Sequence, residues 1–230
     1  MKNLLWLIII VIIAFAAAFL LPKYQQVSLP QPQFSLYYQQ ARVIKSFQLS
    51  DHHGKAFTNK NLQGKWSFVF IGYTSCPDVC PTTLQNLNFV YDDLKKIAAN
   101  SQILFLSVDP KRDSVAKLNK YIGYFNKEFI ALRGEHDQLI PFTRNLGLMY
   151  SLVDDENASS VNKENHDETK YEKKYEQNYL VNHSASIALI NPQGKVAAIF
   201  KPEIAVGKVP SIEGEKLLSD FAKIVALTNS

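Results

Sequence analysis

The chain contains two cysteines, Cys76 and Cys80, which lie four residues apart in the segment TSCPDVCPTTL. Paired thiols at this spacing can form a reversible disulfide or hold a soft metal ion, because the thiolate is both the nucleophile and the ligand. A purely structural disulfide is a weaker explanation, since so short a loop removes little entropy from the unfolded chain. By spacing alone, metal binding and redox activity are equally consistent with the two cysteines.

The residues around the cysteines predict how the thiols are presented. Pro81 suits the first position of a helix, which places Cys80 at the helix cap, near the positive end of the helix dipole. That position is expected to lower the pKa of the Cys80 thiol. Pro77 has a fixed backbone angle and keeps Cys76 extended, so we expect a stiff turn between the two sulfurs.

A third candidate ligand is His183, the one histidine of five in a strand-like segment, YLVNHSASIALINPQG. Two thiolates and one imidazole favour Cu(I), which accepts few ligands, over zinc, which prefers four. The alternative is a histidine held by hydrogen bonds at a strand end, and the sequence alone favours that alternative. His166 lies in a highly charged stretch, where a solvated histidine is expected.

The cysteines are predicted to lie between a buried strand and a helix. Lys65 to Tyr73 (KWSFVFIGY) is a nearly continuous apolar and aromatic run, which is typical of a strand buried on both faces. Thr82 to Ala99 carries apolar residues at helical spacing, so a helix is expected directly after the cysteines. The candidate site is therefore expected at a strand-to-helix turn.

The rest of the chain predicts an α/β fold. A second strand and helix follow the first pair, and three later strands, the last two joined by an Asn-Pro-Gln-Gly turn, precede a C-terminal helix. A hairpin around an Asp-His-His-Gly turn comes before them all. This order predicts a mixed sheet with helices on both faces, thioredoxin-like among other options. The predicted segments are Ser46–Leu49, Ala56–Thr58, Ile103–Val108, Asp113–Phe125, Tyr179–Val181, Ile187–Ile190, Val196–Phe200 and Ser211–Leu227.

The N-terminal region predicts export and anchoring. Leu4 to Leu21 is an unbroken apolar run, about 27 Å long as a helix, which is close to the hydrocarbon thickness of a bilayer. A short head containing Lys2 precedes it, so the positive-inside rule places the rest of the chain outside the cytoplasm. The alternative is a cleaved signal peptide, with Ala16 to Ala18 before the cleavage site. We favour the anchor because the apolar run continues past those alanines. No Arg-rich transit peptide precedes it, which favours a bacterial inner membrane with the domain in the periplasm.

Two polar segments divide the exported part. Pro22 to Arg42 is rich in Gln and Pro and is interpreted as a tether, with an ordered first strand as the alternative. Asp154 to Asn178 is highly charged and is expected to be a surface insertion. Residues 43–230 show no internal repeat and are predicted to form a single domain. The net charge of +4 comes from interspersed charges rather than a basic stripe, so the sequence gives no sign of a nucleic-acid partner.

Together these segments resemble the Sco/SenC family. The resemblance is carried by FQLSDHHGKAFTNKNLQGKWSFVFIGYTSCPDVCPTTL, SVDPKRD and YLVNHSASIALINPQGKV, from about Phe47 to Phe200. It implies a thioredoxin-like mixed sheet with flanking helices and an added N-terminal hairpin, preceded by one transmembrane helix. Cys76 and Cys80 match the family's paired copper ligands, which also form its reversible disulfide, and His183 matches its distal histidine ligand.

The resemblance also implies a function in copper handling. Members assist assembly of the binuclear copper centre in subunit II of cytochrome c oxidase, as metallochaperone, as reductase of that subunit's cysteines, or both. Another cuproprotein is an alternative recipient. From the residues alone, a periplasmic thiol-disulfide oxidoreductase, a peroxidase with a peroxiredoxin-like fold and a redox or copper sensor stay open, so enzymatic activity is undecided.

Three further positions bear on the resemblance. Asp78 and Asp109 match recurring family positions, and we expect both to shape loops; for Asp109 an ordinary turn before Pro110 is an equal alternative. Asn182 replaces the acidic residue that commonly precedes the distal histidine, which is expected to alter the tuning of that ligand. The insertion at 154–178 is long for the family, and partner docking is one role for it.

Overall fold

The computed structural model of this chain describes residues 6–13, 15, 29–154, 179–207 and 209–229. The chain divides into two compact units, Met1–Pro30 and Gln31–Ser230. In the first unit, residues 6–13 and 15 are helical. Across the described part of the chain, no helix has both the length and the apolar character needed to span a bilayer. The predicted anchor at 4–21 lies partly outside the described residues, as do the first part of the predicted tether and nearly all of the charged insertion, including His166.

The second unit is built on an eight-stranded mixed sheet. The described strands of this unit are β1 (Ser35–Val43), β2 (Gln48–Asp51), β3 (Ala56–Thr58), β4 (Trp66–Gly72), β5 (Ser101–Ser107), β6 (Ile130–Arg133), β7 (Tyr150–Asp154), β8 (Tyr179–His183), β9 (Ile187–Ile190) and β10 (Lys195–Phe200). The order of strands in the eight-stranded sheet is β1-β10-β9-β4-β5-β6-β2-β3. The described α-helices of this unit are α1 (Val79–Ile97), α2 (Val115–Phe125), α3 (His136–Leu146) and α4 (Gly214–Asn229).

Two parallel strands, β4 and β5, form the centre of the sheet. Every residue of both strands is buried, because helices cover both faces. α1, α2 and α4 pack on one face around Phe68, Phe70 and Phe105. α3 packs on the other face against Val69 and Ile71. The predicted α/β fold with flanking helices is therefore confirmed.

The remaining strands extend this centre in both directions. β9 pairs antiparallel with β4, and β10 turns back against β9. On the other side β6 is parallel to β5, and the hairpin of β2 and β3 pairs antiparallel with β6. The predicted N-terminal hairpin is present, and Gly54 at its turn has a φ of 78°, a conformation that glycine adopts without strain.

The first strand corrects the predicted boundary of the tether. Residues 35–42, interpreted above as part of a spacer, belong to β1, which pairs antiparallel with β10 along an irregular register between Tyr37 and Arg42. Tyr37 packs against one core and Tyr38 against the other. The Gln-rich composition concealed this strand because an edge strand needs only part of its surface buried.

The start of β1 is fixed by a buried carboxylate. Asp220 of α4 is fully buried and accepts backbone hydrogen bonds from Gln33, Phe34 and Ser35 at 2.7–3.0 Å. The Ser35 hydroxyl donates to the same carboxylate at 2.9 Å. Asp220 therefore ties the C-terminal helix to the point where the chain enters the sheet.

β7 and β8 form a separate two-stranded ribbon. They pair antiparallel, with Tyr150 opposite His183 and Asp154 opposite Tyr179. The predicted strand at 179–181 is confirmed and is two residues longer, so that it reaches His183. β8 leads directly into the buried strand β9, which places the candidate ligand at the edge of the core.

Candidate metal centre

The cysteines lie where β4 gives way to α1. β4 ends at Gly72, and α1 begins at Val79 with Asp78 as its N-cap residue. Cys80 is therefore in the first turn of the helix rather than at its cap, and Pro81 follows it in the same turn. Pro81 was predicted to be the first helical residue, two residues later than the observed start at Val79. The first turn needs no backbone N–H, so it accepts proline beyond its first position. A turn closed by the Cys76 N–H on the Tyr73 carbonyl, at 3.2 Å, presents the first thiol.

Cys80 is fully buried and lies against the backbone of β4. A Cβ added at Gly72 would come within 2.6 Å of the Cys80 sulfur and 2.8 Å of the Phe105 ring. The absence of a side chain at position 72 is therefore what admits the sulfur to its position. Cys76 is half-buried, and both cysteines are free thiols.

The Gly72→Ala variant tests this close approach. We expect the free energy of unfolding to fall by about 1–3 kcal/mol, because the added methyl group overpacks a site between two buried side chains. Urea unfolding measures the change as a lower midpoint at an unchanged slope. Gly123→Ala is the matched control. Gly123 lies in the helix α2, and a Cβ added there meets nothing within 4 Å. Equal stability of the two variants would contradict the proposed packing.

His183, at the end of β8, completes the cluster. Its Nε2 lies 3.4 Å from the Cys80 sulfur, and the ligand atoms of Cys76, Cys80 and His183 all lie within 4.8 Å of one another. The Nδ1 atom is 3.1 Å from the Ser184 carbonyl oxygen. A carbonyl oxygen only accepts, so the hydrogen of this contact is on Nδ1, and the Nε2 atom faces the thiols. The structure thus brings together the three residues predicted from sequence.

Aromatic side chains enclose the histidine. The rings of Phe70 and Tyr73 each lie 6.0 Å from the His183 ring, at interplanar angles of 75° and 87°. These edge-on contacts fix the orientation of the imidazole. Burial, with smaller contributions from the two thiols, raises the pKa of Tyr73, so its hydroxyl stays protonated beside them. The rings of Phe70 and Tyr73 therefore make the pocket apolar on the side that faces the sheet.

The two thiols have opposite electrostatic environments. A hydrogen bond from Cys80, followed by contacts from His183 and nearby backbone N–H groups, lowers the pKa of Cys76 to about 4. The same bond and burial raise the pKa of Cys80. The expectation that the helix dipole lowers the pKa of Cys80 was wrong, because its sulfur is buried and donates to its partner. Cys76 is therefore the thiolate of the pair at neutral pH.

Comparison with known proteins identifies the family. The SCO1/SenC profile matches residues 36–210, most of the chain. The chain belongs to the SCO1/SenC family. An SCO2-like protein of Rickettsia prowazekii is 30% identical over 177 residues, 77% of this chain and 78% of that protein. Mitochondrial SCO2 of Saccharomyces cerevisiae is 35% identical over 150 residues, 65% of this chain and 44% of the yeast protein.

Solved structures of SCO1/SenC proteins have the same fold. Arabidopsis thaliana ScoI, solved with copper bound, is 26% identical with a TM-score of 0.61, over 80% of this chain and 98% of that one. Bradyrhizobium japonicum ScoI, also solved with copper bound, is 28% identical with a TM-score of 0.56, over 79% of this chain and 99% of that one. The thioredoxin-like arrangement of this chain is thus shared with two copper-bound proteins.

A buried carboxylate supports the cysteine loop of this SCO1/SenC protein and was not identified from sequence. Asp113 accepts the Thr74 N–H at 2.9 Å, the Thr74 hydroxyl and, at 2.7 Å, the Ser107 hydroxyl. Lys117 lies 3.5 Å from the same carboxylate. The signal available was its place in SVDPKRD, just after a buried strand.

The two aspartates singled out by the family resemblance differ in their contacts. Asp109 is fully buried and pairs with Arg112 and with the Tyr179 hydroxyl. Asp78 is exposed, and its side chain makes no capping hydrogen bond in α1. Asn182, in the place of an acidic residue, is exposed and pairs across the ribbon with Ser151. A loop-shaping role is therefore visible for Asp109.

Proposed function

We propose that the chain binds one Cu(I) ion through Cys76, Cys80 and His183 and passes it to a cuproprotein during cytochrome c oxidase assembly. The observation that carries the proposal is the convergence of two sulfurs and an imidazole nitrogen within 4.8 Å. The copper-bound relatives support the choice of metal.

The donor set fits a Cu(I) ion. Two ligands at about 2.3 Å from one metal, spread to 120°, stand about 4 Å apart. The cluster therefore needs only a small contraction to close around an ion. Thiolate sulfur is a soft ligand that favours Cu(I), and three donors in an apolar pocket are few for zinc. The low pKa of Cys76 supplies one thiolate before any metal arrives.

Delivery proceeds by ligand exchange. Cys76 is the more exposed thiol, so a recipient thiolate displaces it first, and Cys80 and His183 release the ion afterwards. The recipient is subunit II of cytochrome c oxidase or another cuproprotein, reached in the periplasm from an N-terminal anchor at residues 4–21 in the bacterial inner membrane. The apolar character of that segment is what supports the anchor.

The same thiols suit a second function, reduction of the recipient's cysteines. The Cys76 thiolate attacks one sulfur of the target disulfide, and the other sulfur leaves as a thiolate. Cys80 then loses its proton and attacks Cys76 in the mixed disulfide, which releases the second target thiol. The target gains two electrons, and Cys76 and Cys80 form a disulfide. The lowered pKa of Cys76 and the adjacent protonated Cys80 favour this function.

Anaerobic titration of the full chain with Cu(I), against a competing chelator, tests the proposal. We expect one tightly bound ion, and about 100-fold weaker binding in His183→Ala, since the remaining dithiolate lacks its third donor. His53→Ala is the matched control, an exposed histidine outside the cluster. Absence of Cu(I) binding at one equivalent, or a His53 effect as large as the His183 effect, would refute the assignment.

The reductase function is separated from copper binding by the same variant. His183→Ala is expected to retain reduction of a disulfide-bonded peptide, because both thiols remain. Cys76→Ala removes the attacking group and is expected to lose the reaction. Loss of reduction in His183→Ala would show that the imidazole is part of the thiol chemistry.

A further inference from the structure

The loop between β5 and α2, residues 108–114, contacts both halves of the candidate metal centre. One half is the cysteine loop after β4, and the other is the β7–β8 ribbon that carries His183. Asp113 holds the first half through the Thr74 backbone and hydroxyl. Arg112, next to it in sequence, contacts the second half. A single short loop therefore spans the two elements whose separation sets the geometry of the site.

Arg112 makes several contacts with Tyr179, the first residue of β8. Its Nη1 donates to the Tyr179 carbonyl at 3.1 Å, and its guanidinium lies 4.1 Å from the centre of the Tyr179 ring. Its Nε pairs with Asp109, which in turn accepts the Tyr179 hydroxyl. Arg112 thus holds the backbone and the ring of Tyr179 directly, and it holds the hydroxyl of Tyr179 through Asp109.

Arg112 also reaches the histidine from the cysteine side. Its guanidinium lies 5.6 Å from the centre of the Tyr73 ring, which meets the His183 ring edge-on at 6.0 Å. A planar cation suits this place between two aromatic rings, whereas lysine offers no flat face to stack. Arg112 is therefore packed between the start of the strand that bears His183 and the ring that orients it.

The ribbon depends on such side-chain contacts. Among the described strands, β7 and β8 pair only with each other and not with the main sheet. Their other contacts include buried Val181, the bond between Tyr150 and His136 at 2.8 Å, and the approach of His183 to the Cys80 sulfur at 3.4 Å. In the part of the chain that the structure describes, no backbone ladder joins the ribbon to the cysteine loop, so side-chain contacts hold it there, those at Tyr179 among them.

We propose that Arg112 is a positioning residue for His183, one that sets the distance of the imidazole from the two sulfurs. The inference rests on the proposed copper function and adds to it a residue that touches neither metal nor ligand atom. Because Arg112 acts only through His183, its loss has an effect only while that histidine is present.

The test measures Cu(I) affinity of the full chain in a double-mutant cycle. Arg112→Ala is expected to weaken binding by roughly 10–100-fold, the usual effect of removing a group that orients a metal ligand. In the His183→Ala background the same change is expected to leave the affinity unaltered. X-ray absorption of the Cu(I) complex should show loss of the nitrogen neighbour and a two-coordinate edge in Arg112→Ala, as in His183→Ala.

Arg133→Ala is the matched control. Its side chain is 24% exposed against 22% for Arg112, and it bonds to the same loop through the Pro110 carbonyl at 3.2 Å. We expect Arg133→Ala to bind Cu(I) with the wild-type affinity and to keep the X-ray absorption spectrum of a three-coordinate ion. Tyr179→Phe is a second, milder variant, which keeps the ring and removes only the bond to Asp109; a severalfold loss, absent without His183, is expected.

The outcomes separate the two proposals. A wild-type chain that binds no Cu(I) refutes the copper function itself. If the wild-type chain binds Cu(I), and Arg112→Ala and Tyr179→Phe keep both the full affinity and the nitrogen neighbour of the ion, the copper function stands and the positioning role is overturned. Losses that add to those of His183→Ala, or that Arg133→Ala reproduces, likewise overturn it, since they reflect general damage to the fold.

Discussion

Replacing Cys80 with alanine is expected to lower Cu(I) affinity by at least about 1,000-fold, roughly 4 kcal/mol of binding free energy. The variant loses the buried sulfur that lies beside His183. It also loses the hydrogen bond that contributes most to the low pKa of Cys76. The remaining thiol should then be protonated at neutral pH, so one ligand is removed and a second is weakened.

Two measurements test the effect of Cys80→Ala on the affinity for Cu(I) and on the pKa of Cys76. Competition titration gives the affinity, and the pH dependence of Cys76 alkylation gives its thiolate fraction, which should shift from about pH 4 towards the ordinary range of free cysteine, about 8.5. Thr83→Val is the matched control in the same helix, since it removes a buried hydroxyl that has no partner among the described residues and keeps the shape. Tight binding by Cys80→Ala would remove the basis of the proposed copper site.

Replacing Asp220 with alanine is expected to lower the free energy of unfolding by about 2–4 kcal/mol. The buried carboxylate accepts bonds from three consecutive backbone N–H groups, and its loss leaves donors unpaired at the start of β1. Chemical denaturation measures the difference. Asp92→Ala, an exposed aspartate on α1, is the matched control and should stay within about 0.5 kcal/mol of wild type.

The same carboxylate predicts a pH dependence. Burial by itself would raise the pKa of Asp220, but the hydrogen bonds from Gln33, Phe34 and Ser35 outweigh it, and the pKa is lowered from 3.8. The stabilisation is therefore present above the unfolded pKa and is lost as the pH falls through the lower folded value. Between neutral and acidic pH, the stability difference between wild type and Asp220→Ala should shrink. A difference that grows with acid would contradict the assignment.

Much of the fold could be predicted because its centre obeys simple rules. β4 and β5 are buried on both faces, so they appear in sequence as short continuous apolar runs. β1 was harder to predict, since this edge strand contains glutamines and is only half covered. Its place in the sheet depends on Asp220, which lies 185 residues away from Ser35 and gives no local signal.

The candidate site divides in the same way. The spacing of Cys76 and Cys80 marks them as a pair, but His183 needed the family resemblance, because by itself it resembles an ordinary strand-end histidine. The roles of Arg112 and Asp113 follow from contacts with Tyr179 and Thr74. Such pairings form only when the sheet is assembled, so the motif SVDPKRD marks these two residues but does not reveal their partners.

The outer strands of the eight-stranded sheet affect how copies of the chain meet one another. β3 offers three residues of free backbone, and the register of β1 is broken between Tyr37 and Arg42. Intermolecular strand addition requires a long, regular row of unpaired N–H and C=O groups. Among the described residues, neither rim of this sheet supplies such a row, so pairing of two copies through these rims is disfavoured.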